Sequence, residues 1–230
     1  YRSSLQRFTG IDYEVVIAEL DSTANISDVP LKQLLHSVVA EQWWSDYQDN
    51  RWQILDRTNL SEASDDPETW DQATFMQKVI AEYAASLEPA DRLAKIPVGE
   101  LGSLLLEQRS DTALRPTLFD VLAHRALNVF ENSETRLSEP AWRFQLESPK
   151  AFALPQEFVT ADFSTRDSAA WEWQALQIYQ RLSALHIADG RSAALTDITL
   201  ERLTFARAHS TLSNKDSLYL NALQAFSATL

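Results

Sequence analysis

The chain has 230 residues, of which 45% are hydrophobic and 23% charged, and a formal net charge of −13; these are the proportions of a globular protein large enough for one domain or two small ones. Such acidity speaks against nucleic acid and anionic membrane surfaces as partners, since both are bound through Lys and Arg. Only four glycines and no cysteine are present, which disfavours a turn-rich β protein and phosphate-cradling loops and excludes disulfides, thiolate catalysis and cysteine-ligated metal.

In chain order, the first clear helix opens after Ser27-Asp28-Val29, with Pro30 in its first turn, where a missing N–H costs nothing. Leu31, Leu34, Leu35, Val38 and Val39 recur at three-and-four spacing and lead to Trp43 or Trp44 and Tyr47. An acidic loop from Ser61 to Pro67 follows. Asp71 is placed to cap a helix whose core face is Phe75, Met76, Val79, Ile80, Tyr83 and Leu87, ended by Pro89. A short apolar helix is expected from Leu101 to Leu106. Pro116 then starts another, with Leu118, Phe119, Leu122, Ala126, Leu127 and Phe130 facing inward.

Residues 139–166 change character. Pro140, Pro149 and Pro155 forbid a long helix, while Trp142, Phe144, Phe152, Phe158 and Phe163 demand burial. This pattern predicts an ordered connector and a boundary. Three helices are expected beyond it, from about Ser168 to Ile187 with a stop at Gly190, from Asp197 to His209, and from Asp216 to Leu230. Ala175, Leu176, Tyr179, Leu182 and Leu185 give the small-and-large alternation of tetratricopeptide-like helix pairs.

The expected fold is therefore all-α. An acidic helical bundle occupies residues 1–138, a Pro/aromatic connector 139–166 and a tetratricopeptide-like antiparallel helix set 167–230. Charge is divided in the same way. Residues 168–230 hold five acids and five bases, so the whole excess of −13 lies in residues 1–167.

No catalytic, cofactor-binding or metal-binding residue is expected. The four histidines, His36, His124, His186 and His209, include no pair at i+3 or i+4, so the usual helical zinc motif is missing; His124 reads as a hydrogen-bonded helix residue. Glu62, Asp65, Asp66, Glu68 and Asp71 lack the alternation of a calcium loop and read as a solvated loop with capping acids. Trp43-Trp44 and Trp171-x-Trp173 are expected mostly in the core, the alternative being a carbohydrate cleft. No Gly-x-Ser-x-Gly or Ser-x-x-Lys supports nucleophilic hydrolysis. The last helix carries Leu218, Leu220, Leu223 and Phe226, more apolar positions than one core stripe needs, and these are the candidate docking surface for a following domain of the same polypeptide.

Two stretches carry a resemblance. Glu41-Gln42-Trp43-Trp44 runs on through Asn50-Arg51-Trp52-Gln53-Ile54-Leu55-Asp56-Arg57-Thr58 to Asp71, and Arg115 to Leu127 reads RPTLFDVLAHRAL. With Phe152-Ala153, Ile178-Tyr179-Gln180 and Leu200-Glu201-Arg202-Leu203, the chain from about residue 30 onward resembles the N-terminal helical region of large bacterial alpha-2-macroglobulin-like proteins. The resemblance implies a fragment of an exported, often lipid-anchored envelope protein whose later domains trap proteases. The family's Cys–Gln thioester and bait region have no counterpart here, so no reactive residue is carried over. It implies a non-enzymatic scaffold whose partners are the following domains and, through the parent, proteases, with no cofactor. Two alternatives stay open: a helical scaffold of an envelope glycan-binding lipoprotein, and an all-helical enzyme acting on carbohydrate. No run approaches the ~20 apolar residues of a membrane span, and the start at Tyr1 leads us to expect a trimmed chain without its export segment.

Overall fold

The computed structural model describes residues 13–57, 66–102, 112–132, 143–167 and 169–230. Among these the protein is all-helical, with no strand; paired residues are limited to the isolated bridges Pro97–Thr117 and Leu146–Ser210. Among the described residues no helix is long and apolar enough to cross a membrane. Compactness divides the chain between Leu93 and Ala94, and each unit is described by itself.

In the first unit, α1 (Tyr13–Ile26) packs on α2 (Leu31–Leu55), which packs along α3 (Gln72–Ser86); α4 (Ala90–Leu93) is a single turn. Pro30 sits at the N-cap of α2 rather than inside it, and the helix continues two turns past Tyr47. Asp71 caps α3 as expected, accepting from the Thr74 N–H at 2.8 Å and its hydroxyl at 2.7 Å. The predicted face of α3 is buried at Phe75, Met76, Val79, Tyr83 and Leu87; Ile80 lies at its margin, half-buried. The acidic loop lies mostly outside the described residues. Asp66, at its end, caps the short 3-10 helix Pro67–Thr69 by accepting from the Glu68 N–H.

In the second unit, residues 96–98 pin the start of α5 (Leu118–Phe130). The Val98 N–H donates to the Pro116 carbonyl and the Leu118 N–H to the Ile96 carbonyl. Leu118, Phe119, Leu122, Ala126, Leu127 and Phe130 are all buried, as their spacing predicts. The helix expected over Leu101 to Leu106 lies mainly outside the described residues; Leu101 itself ends a 3-10 turn that begins at Val98. The helix α6 (Pro155–Phe158) is one turn. Then come α7 (Trp171–Asp189), α8 (Ser192–His209) and α9 (Lys215–Ser227), with α7 packed on α8 and α8 on α9. Gly190 ends α7 in the left-handed region at φ 64°, where an L side chain is strained, and α8 begins two residues later, earlier than expected.

The expected boundaries at 138/139 and 166/167 are corrected. Prolines do limit residues 143–166 to single turns, but their aromatic side chains belong to the core of the second unit. Phe152, Phe158 and Phe163 are buried, and α5, assigned to the N-terminal bundle, packs on α7. A segment that buries its rings among the helices on either side of it in sequence cannot separate them.

Candidate functional site

The second unit is held together by polar groups that the sequence pattern conceals. Thr117 and Asp120 form a capping box at the start of α5. The Thr117 hydroxyl accepts from the Asp120 N–H, and the Asp120 carboxylate accepts from the Thr117 N–H at 2.9 Å and from its hydroxyl at 2.6 Å. The other Asp120 oxygen lies 2.9 Å from His186 Nε2 on α7, and both residues are buried. Burial alone would raise the Asp120 pKa, but the bonds to His186 and Thr117 outweigh it and hold the carboxyl below its ordinary value.

One turn on, His124 Nδ1 donates to the Asp120 carbonyl at 2.7 Å, and its Nε2 lies 3.3 Å from Glu201 on α8. Arg115 reaches the same helix, donating to Asp197 at 3.2 Å and Glu201 at 2.8 Å. Arg202, next to Glu201, is wholly buried. Its guanidinium donates to the Ala151 and Ala153 carbonyls at 2.7 and 2.8 Å and lies 4.1 Å from the Phe158 ring centroid. Burial pushes its pKa down to about 10.

Between α5 and α8 lies a cleft of about 670 Å³. Arg115, His124, Glu131, Glu201 and His209 supply its polar lining, and Leu127, Leu200 and Phe205 part of its apolar wall. Two of its carboxyl groups are shifted in opposite directions. Burial raises Glu131, against the opposing hydrogen bond from the Tyr179 hydroxyl. Glu201 is lowered: burial works against it, but His124 and Arg115 prevail. Opposed shifts are a feature of acid–base pairs. Here Glu131 accepts from Tyr179 and Glu201 holds both Arg115 and His124, so each carboxylate already joins two elements.

In the first unit, Asp21 on α1, His36 on α2 and Glu82 on α3 bring one ligand atom each within 4.8 Å of one another, and His36 Nδ1 lies 2.8 Å from Glu82 Oε2. Asp21 and Glu82 line a cleft of about 320 Å³ together with Trp43, Trp70 and Lys78. The absence of paired histidines at helical spacing gave no hint of this group, because three different helices supply it. The second unit's triad of His124, Asp197 and Glu201 is divided between two helices, α5 and α8.

The tryptophans are largely core, as expected. Trp43, Trp44, Trp70 and Trp171 are buried, and Trp173 Nε1 donates to the Phe163 carbonyl at 2.7 Å. Trp52 is 73% exposed, with the Arg51 guanidinium 4.9 Å from its ring centroid. The expected docking residues do not form one surface. Phe226 is buried, Leu218 and Leu223 are half-buried, and Leu220 is exposed; Leu218 lines a groove with Phe152 and Leu154. Part of the stripe is thus satisfied within the unit.

Of the groups missed from sequence, the Thr117-x-x-Asp120 box carried a readable signal. Arg202 did not, since its carbonyl partners lie 51 and 49 residues away. Comparison of the chain with protein-family models, with characterised proteins and with solved structures finds no match.

Proposed function

We propose that the chain is a non-catalytic helical module from the N-terminal part of an envelope-associated, macroglobulin-like protein that traps proteases. The observation that carries the reading is the fate of the polar residues in Arg115–Leu127, the most specific part of the resemblance. Arg115 ties α5 to α8 through Asp197 and Glu201, and Thr117 and Asp120 cap α5. Asp120 also meets α7 at His186, and His124 meets α8 at Glu201. Residue types that serve catalysis elsewhere are here engaged in cross-helix bonds, which supports a scaffold role. The tetratricopeptide-like stacking of α7, α8 and α9, the envelope location and docking against following domains through the exposed side of α9 belong to the same proposal.

The test is the reading frame beyond Leu230. Macroglobulin-type β-sandwich repeats are the expected continuation, and a stop codon directly after Leu230 overturns the parent assignment. Separately, the purified protein is expected to turn over neither casein nor aryl glycosides; turnover abolished by Glu201→Gln would overturn the non-catalytic role. A glycan-binding scaffold is the second reading, supported by Trp43 and Trp70 lining a cleft with two carboxylates. Saturable binding of an oligosaccharide that Trp70→Ala abolishes would favour it.

A further inference from the structure

We propose that Asp21, His36 and Glu82 bind a divalent transition-metal ion, with zinc as the best match. The ligand set is one imidazole and two carboxylates, one from each of three packed helices. Zinc takes nitrogen and oxygen ligands of this kind at about 2.0–2.2 Å, and a site with three protein ligands leaves a fourth position open. Tetrahedral ligands at such distances stand roughly 3.4 Å apart. The three ligand atoms already lie within 4.8 Å of one another, so modest side-chain movements close the site. With a neutral imidazole the two carboxylates carry the charge that a divalent ion neutralises, and binding releases any proton that the coordinating ring nitrogen holds.

Two further observations separate this group from a chance cluster. First, among the described residues Asp21 has no hydrogen-bond or ion-pair partner, although it is held close to the His36–Glu82 pair. Lys78, the nearest cation along α3, lies 5.4 Å from the Trp70 ring centroid. The comparable triad of His124, Asp197 and Glu201 already contains a cation, because Arg115 donates to both of its carboxylates. Second, the geometry is supported from outside the triad. The buried Gln33, one turn before His36, donates to the Glu88 carbonyl just past the end of α3 at 2.7 Å, which holds α2 against α3 and keeps His36 level with Glu82. Asp21 and Glu82 also line the 320 Å³ cleft beside Trp43 and Trp70, so an ion there has a solvent-accessible face.

The test is calorimetric titration of the full chain with zinc chloride, with magnesium chloride as the hard-cation control, followed by imidazole NMR of the four histidines. We expect one zinc per chain, no comparable binding of magnesium, and a zinc-dependent shift of the His36 ring signals. Asp21→Asn, which replaces a carboxylate that bonds to no described residue by a neutral amide, should weaken zinc binding on the order of tenfold or more and leave the far-ultraviolet circular dichroism unchanged. His36→Ala should weaken it further. Absence of stoichiometric zinc binding overturns the site. So does binding that Asp21→Asn leaves intact, or a shift of the His124 signals in place of those of His36.

Discussion

Among the described residues both units bury aromatic rings, but the buried polar groups of the first are Gln33, His36, Ser37, Gln72 and Ser86, whereas the second also buries a carboxylate and a guanidinium, Asp120 and Arg202. Trp43 and Trp70 approach with ring centroids 4.9 Å apart, and Phe75 closes on both at 6.1 and 5.3 Å. In the second unit Arg202 on α8 donates to the Ala151 and Ala153 carbonyls, the buried Ser210 just past α8 to the Leu146 carbonyl, and Arg143 to Glu172 on α7. Aromatic pairs prefer offset or edge-to-face arrangements, but losing one leaves no buried polar group without a partner. A buried polar bond exists in one register or leaves an unsatisfied group that costs about 1–3 kcal/mol, more if charged. The comparison teaches that the unit with buried charge should be the less forgiving of substitutions at its buried polar positions.

The largest expected effect is at the junction of α5 and α7. Asp120→Ala leaves His186 buried without its carboxylate and removes the capping box, so chemical denaturation should show a loss of about 3–5 kcal/mol. A loss under about 1 kcal/mol would break the contrast between the units. The sign of the pH dependence follows from the depressed folded pKa. The Asp120 contribution is complete above its unfolded value near 3.8 and is lost as pH falls through the lower folded value. The stability difference between the natural protein and Asp120→Asn should accordingly be constant from pH 7 to about 5 and shrink below about 4. Leu122→Ala, at a wholly buried apolar position on the same helix, should cost about 2–5 kcal/mol. It serves as the apolar reference for Asp120, since one variant opens a cavity and the other orphans a polar group.

The apolar half of this picture was legible in the sequence and the polar half was not. Three-and-four spacing located the buried faces of α3 and α5, with Ile80 alone at the margin, and Asp71 and Gly190 marked a start and a stop through local chemistry that needs no tertiary partner. Arg202, by contrast, looks like any surface charge on a helix, because what satisfies it are carbonyls of the Pro/aromatic segment. Prolines in that segment were correctly read as breaking helices and incorrectly read as a domain boundary; they govern the backbone, whereas the burial of Phe152 and Phe158 fixes where the segment lies. The Asp21–His36–Glu82 group was invisible for the same reason as Arg202. Its members stand 15 and 46 residues apart in sequence, and motif reading recognises only ligands carried by one element.

The smallest expected effects give the sharpest comparison, because the same substitution can be made in each unit. Tyr47 accepts from Gln72 Nε2 at 3.1 Å in the first unit, a bond between neutral groups. Tyr179 donates to the Glu131 carboxylate in the second. Both tyrosines are buried, so Phe in either place keeps the ring and removes only the hydroxyl. Tyr179→Phe should cost about 1.5–3 kcal/mol near neutral pH, the range of a bond to a charged group, and Tyr47→Phe about 0.5–1.5 kcal/mol. The two should also differ in their pH dependence. Burial raises the Glu131 pKa above its ordinary 4.5, while the Tyr179 hydroxyl favours the ionised form. Removing that hydroxyl raises the pKa further, so the cost of Tyr179→Phe should grow as pH rises through the Glu131 titration and be small below it. The cost of Tyr47→Phe should stay flat over the same range. Equal and pH-independent costs at the two sites would mean that the charge on Glu131 does not strengthen its bond, and that the units differ in composition without differing in how they are held together.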